Sequence, residues 1–125
     1  MIIDTHCHLD FKEFDDDRDD VIDRAKTAGI TKIIDVGSTL DGSRRALELA
    51  AKYDFIYASV GVHPHDAKSA TDSVMADLHT MAKDDRVVAI GEVGLDYYRN
   101  LSPKKNRYRH SRNLFISQGT SIFRS

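Results

Sequence analysis

The chain has 125 residues, 41% hydrophobic and 30% charged, with a formal net charge of −2. That balance fits one soluble globular domain. No apolar run reaches the length of a membrane-spanning helix, and no basic segment followed by an apolar one opens the chain, so neither an anchor nor a secretory leader is expected. The single cysteine, Cys7, excludes an internal disulfide and suits a reducing cytoplasm.

The net charge hides a split. Residues 1–96 carry 11 basic and all 20 acidic side chains, whereas residues 97–125 carry seven basic side chains and no acid. Such asymmetry can mark a nucleic-acid-binding tail.

The predicted elements follow in chain order. Residues 2–6 form an apolar strand that runs into His6-Cys7-His8. Phe14 to Ala28 reads as a helix, with Val21, Ile22, Ala25 and Ala28 on one face. Asp15, Asp16, Asp17, Asp19 and Asp20 crowd its start, where the helix dipole favours negative charge, and Gly29 ends it. Lys32 to Gly37 is a second strand. Asp41 to Tyr53 is a second helix that turns Ala46, Leu47 and Ala50 inward. Phe55 to Val62 is a third strand, leading into His63-Pro64-His65. Thr71 to Lys83 is a third helix, with Val74, Met75, Leu78, Met81 and Ala82 at helical spacing and His79 off that face. Arg86 to Glu92 is a fourth strand. The β-α-β-α-β-α-β order, with crossovers of a dozen residues or more, predicts a parallel sheet with covered faces.

Candidate chemistry gathers at one rim. Alternation along a strand puts His6 and His8 on one face. Imidazole is the commonest protein ligand for transition metals, so the pair reads as half of a metal site. The alternative for a bare His-x-His is two histidines satisfied by hydrogen bonds. His63, His65 and Glu92 also stand at C-terminal strand ends, the edge at which α/β folds bind ligands. Two imidazoles and a carboxylate suit Zn, Mn or Mg, and a carboxylate can bridge two cations. His63 and His65 can bind a phosphate oxygen or donate a proton, on a loop stiffened by Pro64. Asp96 reads as a loop carboxylate, and Cys7, facing away from the histidines, as a buried thiol.

Three segments, Asp4-Thr5-His6-Cys7-His8, Gly61-Val62-His63-Pro64-His65 and Gly91-Glu92-Val93-Gly94-Leu95-Asp96-Tyr97-Tyr98, occur in order. Together they resemble the signatures of the TatD family of metal-dependent deoxyribonucleases, a branch of the amidohydrolase superfamily. The resemblance covers residues 1–105 and continues through Leu101-Ser102-Pro103-Lys104. It implies an α/β fold, the N-terminal half of a (β/α)8 TIM barrel with four parallel strands and three helices, followed by an irregular tail. It implies a divalent-metal phosphodiesterase using two metal ions (Mg, Mn or Zn) on DNA. It makes His6 and His8 ligands of one metal, Glu92 a bridging ligand, and His63 the catalytic residue near the scissile phosphate. It assigns no firm role to His65 or Asp96.

A whole barrel of this kind takes about 200–250 residues or more. The second half would carry two further metal-ligand histidines and a strand-end aspartate. His110-Ser111-Arg112 looks like the family's next motif but lies only 18 positions after Glu92, too near for a helix and a strand. Residues 106–125 show no helical or alternating pattern. With plausible codons, reading that segment one base earlier yields an amphipathic helix and the start of an apolar strand. The expectation is therefore a frame change near Lys104-Lys105-Asn106 and a basic tail that is an accident of frame. An open half barrel exposes strand edges and apolar faces, which predicts self-association. The competing readings are an amidohydrolase-type C–N hydrolase, an inactive fragment, and a small nucleic-acid binder using Arg107, Tyr108, Arg109 and Arg112.

Overall fold

The computed structural model describes residues 1–91. Four strands, β1 (Ile2–Cys7), β2 (Ile30–Val36), β3 (Ile56–Val60) and β4 (Val87–Ile90), alternate with three helices, α1 (Arg18–Thr27), α2 (Leu40–Lys52) and α3 (Asp72–Met81). All pairings are parallel and the strand order is β1-β2-β3-β4. Each crossover therefore steps the chain one strand in the same direction. That winding belongs to a barrel wall, whereas a doubly wound sheet reverses its order at a switch point.

One buried cluster holds the helices against one face of the sheet. Ile33 of β2 and Ile56, Ala58 and Val60 of β3 meet Ile22 of α1, Ala46, Leu49 and Ala50 of α2, and Leu78 of α3. The strand residues come from alternate positions, as the pleat requires. The other face carries Ile34 paired with Tyr57, both half-buried. Ile2 and Ile3 at the β1 edge are 56% and 45% exposed. Among the described residues no helix is long and apolar enough to cross a membrane.

Local chemistry accounts for the helix ends. Thr39 caps α2 by accepting from the Gly42 amide at 2.9 Å, and Thr71 caps α3 by accepting from Val74 at 3.3 Å. Gly29 takes φ +99° after α1, a conformation that side chains with a Cβ resist. Arg86 closes the other end of α2. Its guanidinium donates to the carbonyls of Ala50, Tyr53 and Asp54 at 3.1, 3.1 and 2.8 Å and lies 4.3 Å from the Tyr57 ring centroid.

Two expectations need correction. The first helix starts at Arg18, not Phe14; Lys12–Phe14 is a separate 3-10 turn. Arg18 explains the break. Its Nε donates to Leu9 O at 2.6 Å and its Nη2 to Phe11 O at 2.8 Å, folding the preceding loop back on the helix start. Asp15, Asp16 and Asp17 thus precede the helix, and only Asp19 and Asp20 occupy its first turn. Ala28 is exposed, because it is the C-cap and no longer follows the helical face. Glu92, Asp96 and the expected tail at 106–125 lie outside the described residues.

Candidate metal centre

The site is built on the C-terminal ends of the strands. β1 departs from regular pairing on its way there: Asp4 pairs with Ile33 and Cys7 with Asp35, so β1 spends one more residue than β2. Such a bulge re-aims the side chains beside it. Asp4 accommodates it, since its Oδ1 accepts the His6 amide at 3.1 Å. The His6 and His8 rings end 5.0 Å apart, nearly perpendicular. The expected pair is therefore brought together, although the strand is not regular.

His8 is held on three sides. Its Nδ1 lies 2.8 Å from the Val36 carbonyl. A carbonyl only accepts, so Nδ1 carries the proton and the lone pair of the neutral ring sits on Nε2. This is the arrangement common to metal-binding imidazoles, whose second nitrogen is fixed by a hydrogen bond. The Phe11 ring stacks on His8 at 4.5 Å, with 15° between planes. The Phe11 amide donates to His8 O at 3.2 Å, closing the turn.

Beneath this turn lie two carboxyl groups that sequence reasoning passed over. Asp10 and Asp35 are 1% and 0% exposed. Asp35 Oδ1 accepts the Leu9 amide at 2.7 Å and lies 4.0 Å from Cys7 Sγ. Asp10 packs against the start of α2, where a Cβ on Gly42 would come within 2.8 Å of its Oδ2. Burial, and then the charge of Asp10, push the Asp35 carboxyl up to about 7. Burial raises Asp10 as well. The two carboxyls share one desolvated, coupled environment, which favours a proton on Asp35. The available signal was an acid inside the apolar run Ile33-Ile34-Asp35-Val36. Burial, followed by the Asp35 charge, pushes the Cys7 thiol up to about 12; Cys7 packs against the core but is half-buried rather than fully buried.

The second histidine pair follows β3. His63 precedes the 3-10 turn Pro64–Ser69, and its Nδ1 accepts the His65 amide at 3.1 Å. In the neutral ring Nε2 then carries the proton and can donate. The His63 and His65 rings lie 4.2 Å apart. The strand ends are tied sideways: Gly37 N–H donates to Ser59 O at 2.9 Å, His63 N–H to Ser38 O at 2.8 Å, and Gly91 N–H to Val60 O at 3.1 Å. Ser43 of α2 braces the same rim, donating to Gly61 O at 3.1 Å and accepting from Gly61 N–H at 3.0 Å.

The β1 and β3 pairs are thus held on one rim with β2 between them, two strand spacings or about 10 Å apart. Two imidazoles with a fixed tautomer fit a divalent transition metal. They supply only part of a coordination sphere, and among the described residues no group of three or more His, Cys, Asp or Glu could hold a metal. Glu92, the expected third ligand, directly follows the last described residue.

Comparison with known proteins agrees with this architecture. The family of TatD-related DNases matches residues 3–119, past the boundary expected at residue 105. The chain is 43% identical over 104 residues to the uncharacterized metal-dependent hydrolase YabD of Bacillus subtilis, covering 83% of this chain and 41% of the relative. It is 40% identical over 123 residues to the 3'-5' ssDNA/RNA exonuclease TatD of Pectobacterium carotovorum, covering 97% of this chain and 47% of that protein. The chain therefore spans less than half the length of these relatives. Among solved structures, the TatD homolog YJJV from Escherichia coli superposes with a TM-score of 0.79 at 32% identity, covering 90% of this chain and 44% of that one. A TatD-family hydrolase from Entamoeba histolytica gives 0.80 at 28% identity over the same shares. The sequential parallel winding, the histidine pairs at its rim and these matches lead to one conclusion: the chain belongs to the TatD-related DNase family, and its four strands form part of a (β/α)8 TIM barrel.

Proposed function

We propose that this chain carries the N-terminal part of the active site of a divalent-metal-dependent nuclease that hydrolyses phosphodiester bonds of DNA. The observation that carries the reading is the His6–His8 pair at the end of β1, with the His8 tautomer set by Val36 O at 2.8 Å. In this reading His6 and His8 hold one metal and Glu92 bridges to a second; Mg, Mn and Zn all suit such a donor set. Divalent metal held by these residues would supply activation of water near neutral pH and electrostatic stabilisation of phosphoryl oxygens. His63, its Nδ1 engaged by the His65 amide, offers Nε2–H to a phosphate oxygen or a leaving group. The Pectobacterium relative's name supports a nucleic-acid substrate and extends the class to RNA.

The same reading places the protein in the cytoplasm, where its one thiol would stay reduced. It anticipates no obligate protein partner, and self-association wherever a barrel edge is left open. The test is cleavage of single-stranded DNA by the full chain with Mg, Mn or Zn. Activity that is lost with chelator, and lost in His6→Ala and Glu92→Ala, supports the enzyme. No cleavage, with salt-dependent DNA binding that disappears when residues 104–125 are deleted, favours the basic-tail binder instead.

A further inference from the structure

We propose that Asp35 is a positioning residue for the metal centre: from beneath β1 it holds the Leu9–Asp10 turn so that His8 presents Nε2 to the metal. The inference rests on the metal reading above and concerns a residue outside the three signature segments.

The contacts converge on this one carboxyl. Asp35 accepts the Leu9 amide at 2.7 Å, immediately after His8 in the chain. It is also the residue before Val36, whose carbonyl receives the His8 Nδ1 proton. One stretch of β2 therefore grips both the backbone beside the ligand and the ligand's ring. Asp10 is clamped between Asp35 and the start of α2, where Gly42 has no side chain to keep it away. From the solvent side Arg18 closes the turn by donating to Leu9 O and Phe11 O. Leu9 thus has its N–H held by β2 and its carbonyl held by α1.

The physical reason for a carboxyl at this place is geometric. The bulge and end of β1 carry the turn out of the regular ladder, so its amides need acceptors that a neighbouring strand no longer supplies. A buried carboxyl on β2 supplies such an acceptor to the Leu9 amide. Asparagine keeps the shape and an oxygen to accept from Leu9. Leucine keeps the volume and loses the acceptor.

The experiment uses the full chain and two readouts. Imidazole nitrogen–proton spectra report the His8 tautomer without metal, and zinc titration reports affinity. The wild type and Asp35→Asn should show His8 protonated on Nδ1 and bind zinc within about threefold of each other. Asp35→Leu should lose the single tautomer and about 10-fold or more in zinc affinity. If Asp35→Leu does not fold, the wild type still decides: an Nε2-protonated His8, or a Leu9 amide that exchanges as fast as an exposed one, overturns the proposal. A folded Asp35→Leu with the tautomer and affinity of the wild type overturns it equally. Zinc affinity unchanged in the double variant His6→Ala/His8→Ala would refute the metal reading instead, and the tautomer spectra would then decide the role of Asp35 in holding His8.

Discussion

Replacing Asp35 by asparagine should flatten the dependence of stability on pH. The Asp35 carboxyl is fully buried and is pushed up to about 7, by burial first and by the Asp10 charge second. An aspartate in the unfolded chain titrates near 3.9. Between these values the folded chain keeps a proton that the unfolded chain has released. Stability is therefore fully present below the lower value and falls as pH rises through the upper one. At about 1.36 kcal/mol per pH unit, the whole window amounts to roughly 4 kcal/mol. A domain of this size has on the order of 5–15 kcal/mol in total, so the effect is large. The assay is urea unfolding followed by circular dichroism at pH 5, 6, 7 and 8, with chelator present and protein concentration fixed. The wild type should lose about 3 kcal/mol across that series. Asp35→Asn has no proton to release there and should lose distinctly less than the wild type, keeping only the smaller slope that the raised Asp10 contributes. Asp15 and Asp19, whose carboxyls are held low by the Arg18 guanidinium and by Tyr53 with Lys52 respectively, lose their contribution only as pH falls below the ordinary carboxylate range. Parallel curves for the two proteins would refute the assignment of Asp35 as the protonated partner.

Four other outcomes follow from particular contacts. Gly37→Ala would set a Cβ 2.5 Å from Ser43 Cα and 2.6 Å from its Oγ, and should destabilise by about 2 kcal/mol or more in urea unfolding. Arg86→Ala removes the guanidinium from four carbonyls, those of Ala50, Tyr53, Asp54 and Ile56, and from the face of Tyr57; thermal unfolding should show a loss of about 2–4 kcal/mol, which Lys cannot fully restore. Cys7, with its thiol pushed up to about 12, should react with a thiol reagent at pH 8 at least 100-fold more slowly in the folded chain than in urea. Ile3→Lys, at a β1 position that is 45% exposed, should leave stability within about 0.5 kcal/mol in urea unfolding.

The order of elements was legible because its signals are local. Apolar runs bounded by glycine gave strands, helical spacing gave α2 and α3, and Thr71 marked a helix start that the structure confirms as a cap. The histidine pairs were legible for the same reason, since each lies within three residues. The sequence alone thus determined the parallel α/β winding, the family, and the rim on which the histidine pairs stand. It missed what depends on partners distant in the chain. Arg18 breaks the expected helix by reaching back to Leu9 and Phe11, a choice made by carbonyls that propensity does not register. Asp35 reads as a strand residue until β1 is laid beside it, 26 positions away from Leu9. The tautomer of His8 is set by a carbonyl 28 positions later. Which side chains stand at the rim is a matter of local periodicity. How they are aimed, and how far burial raises a carboxyl such as Asp35, is decided only when separate strands share a desolvated interior, because a hydrogen bond and a dielectric environment belong to the assembled fold.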